Sequence, residues 1–173
     1  MTTKPVPLHR VLKYERLQQL SVHYPSLDPD ATEAFVALKG VGGEVAAVMK
    51  QDLARHRLSE GRFLVLGSLL EHHPKPLSHS ELAVLTAATK GNITGLVDGL
   101  ERDGYVKRED SDTDRRVVLI SLTPVGQQLF ENILPDHFAL LDAAMAGLSA
   151  SECRELVALL MKLQAGLSAL KRE

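Results

Sequence analysis

The sequence predicts a mostly α-helical fold of the α+β class, on three observations. Apolar residues recur at helical spacing along most of the 173 residues. Ser, Thr or Asp stands at the cap position ahead of several of these stretches, and at Asp28-Pro29 and Thr123-Pro124 a proline follows just inside. A pair of short runs rich in Val, Ile and Leu, around a polar tip, is the one strand-like interruption. Hydrophobic residues make up 45% and charged residues 24%, ordinary for a chain that buries one core without disulfide or metal.

In chain order, Leu8, Leu12, Leu17, Leu20 and Tyr24 give a short, mildly basic amphipathic helix that Pro25 ends. Asp28 then caps a long helix whose face is Ala34, Leu38, Val41, Val45 and Val48. Gly40, Gly42 and Gly43 each cost about 1 kcal/mol relative to Ala, and together they point to a kink or a close helix contact. Ser59 caps a helix over 60–73, where Phe63, Leu64, Val65, Leu66, Leu69 and Leu70 are dense enough to be buried on most sides. Pro74 and Pro76 stop it.

Ser78 and Glu81, at capping-box spacing, start a short helix that the turn Thr86 to Thr89 closes. Ile93, Leu96, Val97 and Leu100 mark the next helix, from Lys90 to about Asp103, ended by Gly104. Tyr105 to Arg108 and Val117 to Leu122 read as strands around the polar run 109–116. Thr123 and Pro124 open a helix to about Gly147, with Leu129, Ile133, Leu134, Phe138 and Leu141 inward. Pro135 has no N–H for the Glu131 carbonyl and should bend it. Ser149 and Glu152 start a last helix carrying Leu156, Leu160, Leu163, Leu167 and Leu170.

Two short helices joined by a tight turn and followed by a hairpin make a winged helix-turn-helix. The chain is therefore expected to be one structural domain in three parts: N-terminal helices over 1–57, for dimerisation and part of a ligand cleft, a DNA-binding lobe over 58–123, and C-terminal dimerisation helices over 124–173. The second helix of the pair can enter a major groove roughly 12 Å wide. Thr89, Lys90, Gly91, Asn92, Thr94 and Gly95 are its candidate DNA contacts, with Asp98 on the same outer side. At the hairpin tip Arg115 and Arg116 can reach phosphates or a narrow minor groove, while Asp114 is expected to orient Arg116. The net charge of −2 requires any such footprint to be local.

Other chemistry has little support. No apolar run approaches a membrane span, and the segment from Met1 to Leu20 lacks a signal-type stretch, so a cytoplasmic location is expected. The single cysteine, Cys153, cannot form an internal disulfide and is expected to be structural or incidental. His56, His72, His73, His79 and His137 show no spacing that puts two on one helix face beside a carboxylate, so no metal is expected. No nucleophile with a base, phosphate-cradling loop or paired carboxylates can be named, so the chain is expected not to be an enzyme and to need no cofactor.

The run Leu100-Glu101-Arg102-Asp103-Gly104-Tyr105-Val106, then Asp112-Thr113-Asp114-Arg115-Arg116 and Leu122-Thr123-Pro124-Val125-Gly126, resembles the MarR family of bacterial transcriptional regulators from about Leu58 to Gly126. The resemblance implies a homodimer on a pseudo-palindromic operator of double-stranded DNA. It also implies repression relieved by a small, often phenolic or aromatic, effector between the dimer helices and the DNA-binding lobe. Helix position suggests Met49, Leu53, His56, Arg57, Phe63 and Leu66 for that cleft. The helix before Asp28 resembles the urate-responsive subgroup, but the chain has no Trp and carries Leu64 where that subgroup uses Asp, which disfavours urate. Many relatives carry basic residues where this chain has Gly95 and Gly99, so binding is expected to lean on Lys90 and the wing. The alternatives are a winged-helix protein-interaction scaffold and a metal-responsive sensor.

Overall fold

The structure, a computed structural model, describes residues 14–111, 114 and 116–170. The start of the predicted first helix, with Leu8 and Leu12, lies outside them. Contacts divide the chain into two compact units, residues 1–63 and 64–173.

In the first unit, α1 (Tyr14–His23) packs on α2 (Pro29–Arg55), and the Tyr14 hydroxyl donates to Asp30 Oδ1 at 2.8 Å. The Asp28 carboxylate caps α2, accepting from the N–H groups of Asp30 at 2.9 Å and Ala31 at 3.1 Å. The glycines do not break this helix, which runs uninterrupted for 27 residues. Nor do they mark a close contact among the described residues of the single chain, where a Cβ at Gly40, Gly42 or Gly43 would meet nothing within 4 Å. A penalty of about 1 kcal/mol per glycine is carried by a helix this long, whose backbone bonds continue on both sides. Its expected apolar face, including Leu38, Val41, Val45 and Val48, is exposed, and Asp52 and Leu53 are its buried residues. The helix ends with Arg57 in the left-handed region (φ 56°) and the Leu58 N–H bonded back to Leu53 O at 3.0 Å. Helix α3 (Glu60–His72) begins in this unit and ends in the second.

The second unit continues with β1 (Leu77–Ser78), α4 (His79–Leu85), α5 (Lys90–Arg102), β2 (Val106–Asp110), β3 (Val118–Leu122), α6 (Pro124–Met145) and α7 (Ala150–Leu170). The antiparallel sheet has the order β1-β3-β2, with Val106 opposite Leu122, Arg108 opposite Ile120, and Leu77 opposite Ile120 on the other edge. Strand β1 was not predicted, being too short to show a period. Val65, Leu66, Leu69, Leu77, Leu82, Ile93, Val97, Leu100, Ile120, Phe130 and Ile133 form the core of this unit. Leu64, expected inside, is 42% exposed.

The inward face of α6 matches the predicted one only in part: Ile133 is buried as expected and Leu129 and Leu134 are half-buried, but Phe138 and Leu141 are exposed and Gly126, Phe130 and His137 are buried instead. Gly126 sets this phase. A Cβ there would lie 1.9 Å from the Tyr105 carbonyl oxygen, so α6 starts against the backbone of Tyr105 where no side chain fits. Thr123 fixes the same junction: its N–H donates to Tyr105 O at 3.0 Å, its hydroxyl donates to Gly104 O at 2.7 Å, and that hydroxyl accepts from Gly126 N–H at 3.0 Å. Gly104, at φ 77°, supplies the left-handed residue that ends α5. Helix α6 continues through Pro135 to Met145. The Ser149–Glu152 capping box precedes α7, which has no buried residue.

Candidate nucleic-acid interface

Helices α4 and α5 owe their ends to local chemistry. Ser78 and Glu81 form a reciprocal box, Ser78 N–H to the Glu81 carboxylate at 2.7 Å and Glu81 N–H to Ser78 Oγ at 3.2 Å. Those bonds from Ser78 hold the Glu81 carboxyl below its ordinary pKa. In the turn, Ala87 takes a left-handed conformation (φ 52°) and Ala88 N–H reaches back to Ala83 O at 3.0 Å. Thr89 then caps α5, its hydroxyl accepting from Asn92 N–H at 3.3 Å.

Helix α5 is two-sided. Ile93, Val97 and Leu100 are buried; Thr89, Lys90, Gly91, Asn92, Thr94, Gly95 and Asp98 are exposed. At about 100° per residue, Lys90, Thr94, Asp98, Gly91 and Gly95 fall in one sector of about 140° that begins beside the buried stripe at Lys90 and turns away from it through Asp98 to Gly95. A Cβ at Gly91 or Gly95 would meet nothing within 4 Å, so no packing inside the chain calls for glycine there. The Thr94 hydroxyl donates to Lys90 O at 3.1 Å, and the residue is exposed.

The hairpin closes on hydrogen bonds from Ser111 N–H to Val117 O at 3.1 Å and from Val117 N–H to Asp114 O at 2.9 Å. Arg116 is exposed at its tip, and Asp114 Oδ1 accepts from the Arg116 backbone N–H at 2.9 Å, fixing the main chain that carries the guanidinium. Arg115, with Asp112 and Thr113, lies outside the described residues.

Sequence reasoning missed Arg108. From β2 its guanidinium donates to Asp98 Oδ1 at 2.5 Å and to Glu101 Oε2, both on α5. Burial opposes its charge, and these two carboxylates more than offset that. His79, the first residue of α4, sits close enough that burial first, then Arg108, lower its pKa, while Asp98 works the other way. The acidic pair at i, i+3 and a later arginine were visible in the sequence, but their meeting depends on the hairpin's register.

The six cleft candidates differ in exposure: Leu53 and Leu66 have none, Met49, His56 and Phe63 are half-buried, and Arg57 is exposed as the left-handed residue after α2. A cavity of about 360 Å³ lies in the second unit, walled by Leu77, Val84 and Leu85 with Lys75 and Glu81 at 3.6 Å, and involves none of the six. Cys153 is half-buried and free. Among the described residues no three His, Cys, Asp or Glu gather to hold a metal, and no helix is long and apolar enough to cross a membrane.

A model of the MarR family matches residues 58–117. The chain is 36% identical to the transcriptional repressor YetL of Bacillus subtilis over 145 residues, 84% of this chain and 87% of YetL. Among solved structures it is similar to MepR of S. aureus in complex with DNA, with a TM-score of 0.69, 22% identity, and coverage of 75% of this chain and 95% of MepR. It is also similar to BpsR of Bordetella bronchiseptica, whose DNA binding is regulated by 6-hydroxynicotinic acid, with a TM-score of 0.66, 24% identity, and coverage of 76% and 98%. The exposed helix, the wing beside it and these likenesses have one reading: the chain belongs to the MarR family and is a DNA-binding transcriptional regulator of winged helix-turn-helix fold, not an enzyme.

Proposed function

We propose that the protein is a cytoplasmic homodimeric repressor that grips a pseudo-palindromic operator and is released by a small aromatic or phenolic effector. The observation that carries the DNA-binding geometry is α5 itself: one face buried, the other a solvent-facing set of Thr89, Lys90, Gly91, Asn92, Thr94 and Gly95, with Arg116 on the adjoining wing. Small and polar groups there permit close approach to base edges, and Lys90 and Arg116, with Arg115, supply phosphate contacts. Asp114 keeps Arg116 in place through its backbone.

The uncovered apolar residues of α6 and α7, among them Phe138, Leu141, Leu156, Leu160 and Leu163, support a second copy as partner. Two recognition helices about 34 Å apart would then meet successive major grooves. Repression follows YetL, and an aromatic effector follows BpsR. Of the predicted cleft residues, the half-buried Met49, His56 and Phe63 have surface to offer such a molecule. An effector that changed the helix spacing would need a coupling of only about 1–3 kcal/mol.

The test is binding to a fluorescent duplex taken from beside the protein's own gene, titrated over a range of salt. The reading expects affinity to fall steeply with salt. Arg116→Ala should weaken binding about tenfold, roughly 1.4 kcal/mol, and lower the log–log salt slope by about 1, with the dimer intact by sedimentation. Salt-independent or absent binding would favour the protein-interaction scaffold, and unchanged affinity in the variant would remove the wing.

A further inference from the structure

We infer that Arg108 is a positioning residue for DNA recognition: it joins the wing strand to the recognition helix and masks the carboxylate that the helix carries on its outer face. This inference rests on reading α5 as the DNA-facing helix.

Asp98 stands in the sector of Lys90, Thr94, Gly91 and Gly95, and its side chain is 59% exposed. An unpaired carboxylate there would repel the phosphates that Lys90 and Arg116 are placed to attract, and with a net charge of −2 the chain has no general excess of cations to outweigh it. Arg108 answers this from β2. One end of its guanidinium takes Asp98 Oδ1 and the other takes Glu101 Oε2, a turn further along the same helix. The arginine side chain is itself only 26% exposed, so its charge is held against the helix rather than offered to solvent or DNA.

The geometry has a second effect. Arg108 pairs with Ile120 in the sheet, in the strand that leads out to the wing tip. A rigid two-pronged link from that strand to residues 98 and 101 of α5 fixes the distance between the two DNA-contacting parts of the lobe. His79 faces the same cluster from α4. Lysine at 108 would keep one charge but could not span both carboxylates in a fixed plane.

Anisotropy with the own-gene duplex tests this on the full-length protein. Arg108→Gln should weaken binding about tenfold or more while thermal unfolding and dimer mass stay near wild type, and Arg108→Lys should fall between the two. Adding Asp98→Asn to Arg108→Gln should recover part of the loss, because the repelling charge is gone. Asp98→Asn alone loses one prong of the link but also the repelling charge, so its loss should be smaller than that of Arg108→Lys. If Arg108→Gln unfolds the lobe, Arg108→Lys and Asp98→Asn still decide the matter through affinity. Wild-type affinity in Arg108→Lys, or no recovery in the double variant, would overturn the inference; the second result, with a salt slope lower by about 1, would make Arg108 a direct phosphate contact. Failure of the wild-type protein to bind any duplex would instead overturn the reading of the helix.

Discussion

Gly95→Ala separates the stability of α5 from its use. In the free protein the added Cβ meets nothing within 4 Å, and Gly95 lies inside the helix, beyond the first turn that Thr89 caps. Alanine should therefore stabilise the helix by about 0.8–1.0 kcal/mol, from propensity alone. For a chain of 173 residues that is a rise in Tm of roughly 2–4 °C. On DNA the same methyl would sit in the outward sector between helix backbone and duplex. Crowding a close contact costs about 1–3 kcal/mol, so affinity for the own-gene duplex should fall by about 5- to 150-fold. Calorimetry and anisotropy on one preparation read both numbers. A protein that melts higher and binds unchanged would refute the close approach of α5 to DNA; one that melts no higher would refute the open surroundings of Gly95.

Two other outcomes follow from the same structure. Gly126→Ala should destabilise the second unit by more than about 3 kcal/mol in urea unfolding, because its Cβ would overlap the Tyr105 carbonyl oxygen at 1.9 Å and that atom is backbone; a loss below about 1 kcal/mol would show that α6 can move off Tyr105. Glu81 has its carboxyl pKa held below the ordinary 4.5 by the Ser78 bonds, so the native chain binds fewer protons than the unfolded one in that range. The contribution of this cap is present above pH 4.5 and should fade as pH drops through the lowered native value, and Glu81→Gln should show a shallower loss of urea midpoint with acid.

The parts of the fold that were legible are those written in neighbouring residues. Asp28, Ser78, Thr123 and Ser149 cap the helices that begin beside them, because a side-chain oxygen two or three residues ahead of an N–H is a local arrangement. The α5 face was readable for the same reason: Ile93, Val97 and Leu100 alternate with polar and small residues at helical spacing. What escaped depends on partners distant in the chain. On α6 Ile133 was legible but the exposure of Phe138 and Leu141 was not, since leucine and phenylalanine occupy several faces and the contact of Gly126 with Tyr105 decides among them. The apolar faces of α2 and α7 look like core in sequence and are exposed in the single chain. The Arg108 link joins residues seven and ten positions apart through a strand register that composition does not encode.

The most direct test of the account is protection of the α5 surface by DNA. Thr94→Cys in a Cys153→Ser background places one thiol on the outer face, and Ser151→Cys in the same background places one at the start of α7. Alkylation at position 94 should slow sharply when the own-gene duplex is added in excess, while position 151 reacts at its free rate. Equal reactivity at position 94 with and without DNA, under conditions where anisotropy shows the protein bound, would mean that another surface holds the duplex.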